Sequence, residues 1–240
     1  MPGGYFTPPF REDMGRLPES DGGRLFYYAM QDYLHQASEG RTWTWCEVRP
    51  DAIIGFTPNG STFSLAAHWF NYLSLYAAIE GPGASVPYPG IPAAYPSVFN
   101  GASSAMIARF SIHASLHPDR TGNGEIFNIA DQTRPQSMEE LWPVIANCFG
   151  LKGIPPAANQ DPTFIRPSAY LALNNYKQPE YAGSQLTKAS WLDEFGVWYT
   201  FDRPLSLEKI RSVDFDEERN ATTGWVKTFE LFQAMTQKAR

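Results

Sequence analysis

The sequence predicts an α/β fold, and three observations carry that prediction. Residues 42–48 and 125–129 are short, nearly continuous apolar runs, the composition of strands covered on both faces in a parallel sheet. Segments of helical period alternate with them at 26–37, 63–79 and 102–116. Glycine- and proline-rich breaks punctuate the series. Two doubly covered strands do not make a sheet, however, and the helices that would sandwich one need more strands to pack on. Several strands of such a sheet are missing from the pattern.

Residues 1–24 are rich in Gly, Pro and charge, have no strand or helix period, and read as an extended segment. From Phe26 the apolar positions 26, 30, 33, 34 and 37 fall on one helical face, and Gly40 supplies a stop. The 42–48 strand follows. A long helix from Phe63 to Ile79 carries Trp69, Phe70, Tyr72, Leu73 and Tyr76. Between Gly81 and Pro96 the prolines 82, 87, 89, 92 and 96 forbid a helix, so the stretch reads as a loop over the surface or over a pocket. Helical spacing returns at 102–116, Gly122-Asn123-Gly124 makes a turn, and Glu125–Ile129 is the second strand. Ser137 with Glu140 is a capping-box pattern that opens a helix running to Phe149-Gly150. After Pro155-Pro156 come helical pieces anchored by Tyr170, Trp191, Phe195, Trp198, Trp225, Phe229 and Phe232.

With 240 residues the chain can bury one sizeable core. A net charge of −6 with interspersed signs offers no basic stripe for phosphates, which excludes nucleic acid as an expected partner. The apolar stretch at 65–79 is interrupted by His68, Asn71 and Ser74, and no basic segment followed by an apolar run opens the chain. A soluble, cytoplasmic protein with no membrane partner is expected. Cys46 and Cys148 are too few for a disulfide framework or a metal cage and read as small core residues.

The residues that point to chemistry begin with Phe26-Tyr27-Tyr28 and Asp32, preceded by Pro8-Pro9-Phe10-Arg11-Glu12-Asp13 and Arg16-Leu17, and followed by Arg49-Pro50 through Gly55-Phe56-Thr57-Pro58. Further on stand Glu125–Ile129, Leu141-Trp142-Pro143-Val144-Ile145-Ala146 and Phe149-Gly150. In order and spacing the whole set resembles the progesterone 5β-reductase and iridoid synthase group of atypical short-chain dehydrogenases, particularly its fungal relatives. The resemblance implies the C-terminal part of a Rossmann-type short-chain dehydrogenase with a mainly helical substrate-binding lobe. It implies NADP(H)-dependent reduction of the carbon–carbon double bond of an enone or related activated alkene. Tyr27 would be the catalytic group, hydrogen-bonding the substrate carbonyl oxygen as enolate charge develops. The turn Pro50, Asp51, Ala52 and Ile53 would face the nicotinamide, and Thr62, Phe63 and the 81–96 loop with Tyr95 would border the small-molecule substrate.

The departures from that pattern matter as much. Members of the group carry a lysine upstream of the tyrosine, and this chain has none before Lys152. A phenol with a pKa of about 10 is a poor proton donor without such help. The fingerprint G-x-G-x-x-G is absent: Gly81-Pro82-Gly83 and Gly122-Asn123-Gly124 lack its third glycine and open no helix in a βαβ unit. Ala52 stands where the group often places Asn. The chain is therefore read as a single partial domain over 1–240, with the extended segment at 1–24, the tyrosine helix, last Rossmann strands and pocket at 25–150, and the helical lobe at 151–240. The nucleotide-binding half is not in it, and tight binding of the cofactor is not expected.

Three readings follow. The chain is an incomplete reductase, a redox-neutral isomerase or cyclase that reuses the pocket, or a non-catalytic binding or partner module. If the two strands are covered on both faces in a larger architecture, their exposed edges favour a homo-oligomer or strand exchange. Other groupings carry less. His113 and His117, four apart on a helix, have no third ligand, so no metal is expected. Glu139 and Glu140 complement a helix dipole. The acidic stretch Asp214, Asp216, Glu217 and Glu218 reads as a solvated face.

Overall fold

In the computed structural model, which describes residues 5–23, 25–58, 61–157, 166–174 and 190–238, the chain runs as follows. One helical turn, α1 (Glu19–Gly22), interrupts the segment expected to be extended, and α2 (Phe26–Ser38) is the tyrosine helix. Then come β1 (Cys46–Pro50), β2 (Ala52–Ile54), α3 (Leu65–Glu80), β3 (Ser85–Pro87), β4 (Val98–Phe99), β5 (Gly101–Ser103), α4 (Ser104–Leu116) and α5 (Pro118–Thr121). They are followed by β6 (Glu125–Ile129), β7 (Gln136–Ser137), α6 (Met138–Asn147) and β8 (Lys152–Ile154). The C-terminal part holds α7 (Pro167–Asn174), a 3-10 turn at Ser190–Glu194, α8 (Phe195–Trp198), α9 (Glu208–Ser212) and α10 (Ala221–Lys238).

Strand pairing is parallel for β1 with β6, β2 with β5, and β3 with β8, and antiparallel for β4 with β7. This is the α/β fold the sequence predicts, with a mainly helical C-terminal part. Two expectations are corrected. The first strand runs 46–50 instead of 42–48, and its residues are half-buried instead of doubly covered. Among the described residues β1 pairs with β6 alone, so its other edge lacks a ladder partner. The 81–96 segment, read as a loop, contains β3, whose pairing with β8 comes from residues some sixty-seven positions away (Ser85 with Lys152) and leaves no local period to read. The leading segment also does more than extend: Phe10 N–H donates to Pro204 O at 2.7 Å and Phe10 O accepts from Ser206 N–H at 2.8 Å, while Asn128 donates its side-chain amide to Phe10 O at 2.9 Å.

The apolar core follows directly from composition. Helix α3 is apolar nearly all round, so it is buried nearly all round, from Leu65 to Leu73. Ser64 caps it, its Oγ accepting from Ala67 N–H at 3.1 Å. Trp69 stacks on Trp225 of α10 with ring centroids 5.1 Å apart and meets Trp142 of α6 edge-on at 5.6 Å. Ser137 caps α6 as expected, its Oγ accepting from Glu140 N–H at 3.3 Å, but the Glu140 carboxylate turns to Arg134 at 2.7 Å. Of the aromatic anchors expected after residue 155, Trp225, Phe229 and Phe232 are buried, whereas Trp191 and Trp198 are exposed. Cys46 and Cys148 are half-buried, and burial raises both thiols, which suits packing and not nucleophilic attack.

Glycines set the approach of the C-terminal lobe to the β3–β4 connection. Ile91 N–H donates to Gly196 O at 2.9 Å. A Cβ on Gly196 would lie 2.7 Å from Pro89 O and 2.8 Å from Gly90 Cα, both backbone atoms that have no room to yield. Gly196→Val is therefore expected to lower stability by about 1–3 kcal/mol through overpacking. Thermal unfolding checks this, and an unchanged Tm would mean that the two segments do not touch.

Candidate active site

The two tyrosines of the pair are used differently in the structure. Tyr28 accepts Leu17 N–H on its hydroxyl at 3.0 Å, lies under the Arg16 guanidinium at 4.9 Å from the ring centroid, and leaves so little room that a Cβ on Gly22 would meet its ring at 2.9 Å. Arg16 in turn forms a fork with Asp32, at 2.7 and 3.0 Å, and donates to Gln31 Oε1 at 3.0 Å. The motif's arginine, second tyrosine and aspartate thus fasten the leading segment to α2. Tyr27 is 56% exposed, touches the Phe26 ring at 4.1 Å, and its hydroxyl has no hydrogen-bond partner among the described residues.

Helix α2 itself is held on one narrow line. Gln31, its buried residue, donates to Glu47 of β1 at 2.5 Å, and His35 packs edge-on against Trp45 at 4.8 Å. The apolar positions expected to face a core are instead at the surface: Phe26, Met30 and Tyr33 are all exposed. The correction has a physical form, an amphipathic helix whose apolar face is half-covered at Leu34 and Ala37 and open at Phe26, Met30 and Tyr33.

The turn after β1 lies at the carboxyl ends of the parallel strands, where open α/β sheets bind ligands. Pro50 ends β1, Ala52 is buried, and Ile53 is exposed while its backbone pairs with Ala102 of β5. Asp51 turns inward to the Nε of Arg203 at 2.9 Å. Burial raises the Asp51 carboxyl above its ordinary pKa, an effect that the Arg203 charge opposes. Arg203 is 4% exposed and sits among the rings of Tyr199, Phe99 and Phe195, with centroids 4.0, 4.7 and 5.4 Å from its guanidinium carbon. These rings pack with Tyr88, Ala94, Ser97 and Met138 around Arg203 and leave no room between them for a water molecule.

The residues expected to border substrate are split. Tyr95 is buried beside Tyr88, rings 5.3 Å apart. Phe63 is 78% exposed and leans on Trp191 at 5.1 Å, with half-buried Thr62 next to it in the turn before α3. No hydrogen bond or ring contact joins Tyr27 to Pro50, Asp51, Thr62, Phe63 or Tyr95 among the described residues. A buried polar cluster that the sequence did not announce ties α3 to the C-terminal lobe: His68 Nε2 lies 2.8 Å from Asp193 Oδ1, and Ser168 donates its hydroxyl to Asp193 Oδ2. The carboxylate sits between serine and histidine, so His68 cannot take the serine proton and no nucleophile triad is formed.

Neither glycine pair singled out in the sequence offers dinucleotide phosphates a cradle among the described residues. Gly81–Gly83 leads into β3 and Gly122–Gly124 into β6, so neither glycine pair opens a helix whose N-terminus could meet a pyrophosphate. Among the described residues, these two glycine pairs do not fit the pyrophosphate of the cofactor. No group of three or more His, Cys, Asp or Glu side chains able to hold a metal occurs among the described residues, and no helix described is long and apolar enough to cross a membrane.

A family model for the PRISE-like Rossmann-fold domain matches residues 2–237. The chain belongs to that family. The PRISE-like chain is 34% identical over 233 residues to the short chain dehydrogenase ausT of Aspergillus calidoustus, covering 95% of this chain and 56% of that protein. It is 26% identical over 243 residues to the 3-oxo-Delta(4,5)-steroid 5-beta-reductase of Arabidopsis thaliana, covering 94% of this chain and 58% of the relative. With the (S)-8-oxocitronellyl enol synthase CYC2 of Camptotheca acuminata it shares 32% identity over 160 residues, 66% of this chain and 38% of that protein. The chain thus spans less than two thirds of the length of these relatives. In fold it is similar to the GDP-mannoheptose C4 reductase of Campylobacter jejuni with NADP bound, with a TM-score of 0.59, 12% identity, and coverage of 95% of this chain and 63% of that one. The Rossmann-type fold and the PRISE-like family read from the sequence therefore hold for this chain. Reading its sequence missed Arg203 and Tyr88, since a lone arginine between Asp202 and Pro204 and a tyrosine in a proline-rich run carry no local signal of their meeting.

Proposed function

We propose that this chain is the substrate-side part of a nicotinamide-dependent reductase acting on small molecules with a carbonyl conjugated to a carbon–carbon double bond. The nicotinamide that delivers hydride is held by residues outside this chain. The observation that carries the reading is the division of labour in α2: Tyr28 is fastened to Leu17 and Arg16, while the neighbouring Tyr27 presents an unpartnered phenol beside an uncovered apolar face. Adjacent helical residues point about 100° apart, so the two cannot address one oxygen equally. Tyr27 is the donor to the substrate carbonyl oxygen, where charge develops as the double bond is reduced. The oxo groups in the names of the steroid reductase and the enol synthase support a carbonyl-bearing substrate class.

On this reading the face made by Phe26, Met30 and Tyr33 and the unpaired edge of β1 receive the cofactor-binding half. The frame immediately upstream of Met1 in the genome should then encode G-x-G-x-x-G and a lysine. The isolated chain is expected to show no saturable NADPH binding below millimolar concentration by calorimetry. Micromolar affinity would contradict the assignment, because it would require a phosphate site within these residues.

A further inference from the structure

Asp51 is the residue between β1 and β2, and there the chain leaves one ladder for another: β1 pairs with β6, and β2 with β5. Asp51 belongs to neither ladder, and its carboxylate is instead held by Arg203 Nε at 2.9 Å. Of the two partners Arg203 is the anchored one. Its N–H donates to Val98 O at 2.9 Å, its backbone bridges to Phe99, and on either side Asp202 Oδ1 accepts from Val98 N–H at 3.0 Å and Leu205 N–H donates to Asn100 Oδ1 at 2.8 Å. The guanidinium carbon stands 4.0 Å from the Tyr199 ring centroid and 4.7 Å from that of Phe99, and the surrounding side chains leave no room for a water molecule.

A buried ion pair adds little stability over packed apolar side chains of the same volume, and its better attested use is to specify one arrangement. The surroundings of Arg203 suit that use. A planar guanidinium clamped between rings points its Nε in a fixed direction, and with water kept from it the hydrogen bond to Asp51 has no solvent competitor on the arginine side. Tyr199, which follows α8, belongs to the C-terminal part of the chain, whereas Asp51 lies at the carboxyl end of β1. We propose that Arg203 is a positioning residue: through Asp51 it ties the 50–53 turn to the C-terminal part, so that the packing of Tyr199 sets where the turn stands. The linkage stands on these side chains alone; only the turn's place beside a nicotinamide rests on the reductase reading.

The test measures amide exchange by mass spectrometry at 51–54 and at 125–129, in the native chain and in a paired replacement, Asp51→Leu with Arg203→Met, which removes both charges and orphans neither. Tyr199→Leu is then introduced into each background. In the native background it is expected to speed exchange at 51–54 about tenfold, within the usual range of coupling between sites, and to leave 125–129 within about twofold. In the paired replacement it should change 51–54 by less than about twofold, because the link is gone. A merely structural role would speed both segments together through global opening. Asp51→Asn is the second background, and Phe99→Leu the second perturbation, where either variant does not fold. Equal acceleration of the two segments, no acceleration at 51–54, or the same response in both backgrounds would each overturn the linkage. In an active form that includes a cofactor-binding half, the paired replacement is expected to lower kcat about tenfold and to leave the KM for an enone within about twofold, since misplacing a reacting partner slows the step more than it weakens substrate binding. The expected exchange pattern with an unchanged kcat would leave the linkage standing and sink the turn's place beside the nicotinamide.

Discussion

On the proposed reading, Tyr27→Phe is expected to lower turnover about 10²–10³-fold in the active form, the usual effect of removing one donor from a developing oxyanion. Tyr28→Phe is expected to leave turnover within a few-fold and to lower stability by about 1 kcal/mol, because Leu17 N–H loses its acceptor. The two substitutions delete the same atom from adjacent residues, so their comparison separates chemistry from packing. The environment predicts the direction: one hydroxyl is engaged at 3.0 Å by Leu17 and the other has no partner among the described residues. Matched kinetics and melting curves give the ranking. Loss of turnover in Tyr28→Phe with little effect in Tyr27→Phe would reverse the assignment.

What the sequence makes legible is what local chemistry encodes. Glu125–Ile129 was readable as a strand because its apolar run is bounded by the Gly122–Gly124 turn, and the structure pairs these same residues. The Ser137 cap and the all-round apolar α3 were equally local signals. Composition could not say which surface an apolar residue meets. Trp43 was counted in a strand and is exposed; Phe26, Met30 and Tyr33 were given a core and have none among the described residues. Strand β3 is three residues long and ends in proline, and its pairing is written in β8. The Asp51–Arg203 pair joins residues 152 apart in sequence. The resemblance puts Asp51 in a turn facing a nicotinamide, whereas the structure pairs its carboxylate with Arg203.

The same unfinished surfaces carry the second large expectation. A strand with one unpaired edge is a template for another chain, and an apolar helix face beside it adds area that water solvates poorly. The chain studied alone is therefore expected to self-associate, to exchange elements with another copy, or to remain loosely packed around β1. Each outcome follows from the proposed completion of the sheet by residues outside the chain, and on that reading addition of a cofactor-binding half should suppress them. Arg49 and Glu47, paired at 2.7 Å, place charge on β1 and moderate the tendency without supplying the missing ladder.

The most direct measurement is sedimentation of the isolated chain together with native-state amide exchange resolved at 46–50 and 125–129. The account predicts oligomers, or a monomer in which the amides of β1 exchange far faster than those of β6. A compact monomer with slow exchange in both strands would contradict it, and would favour a self-sufficient redox-neutral enzyme over the substrate side of a reductase.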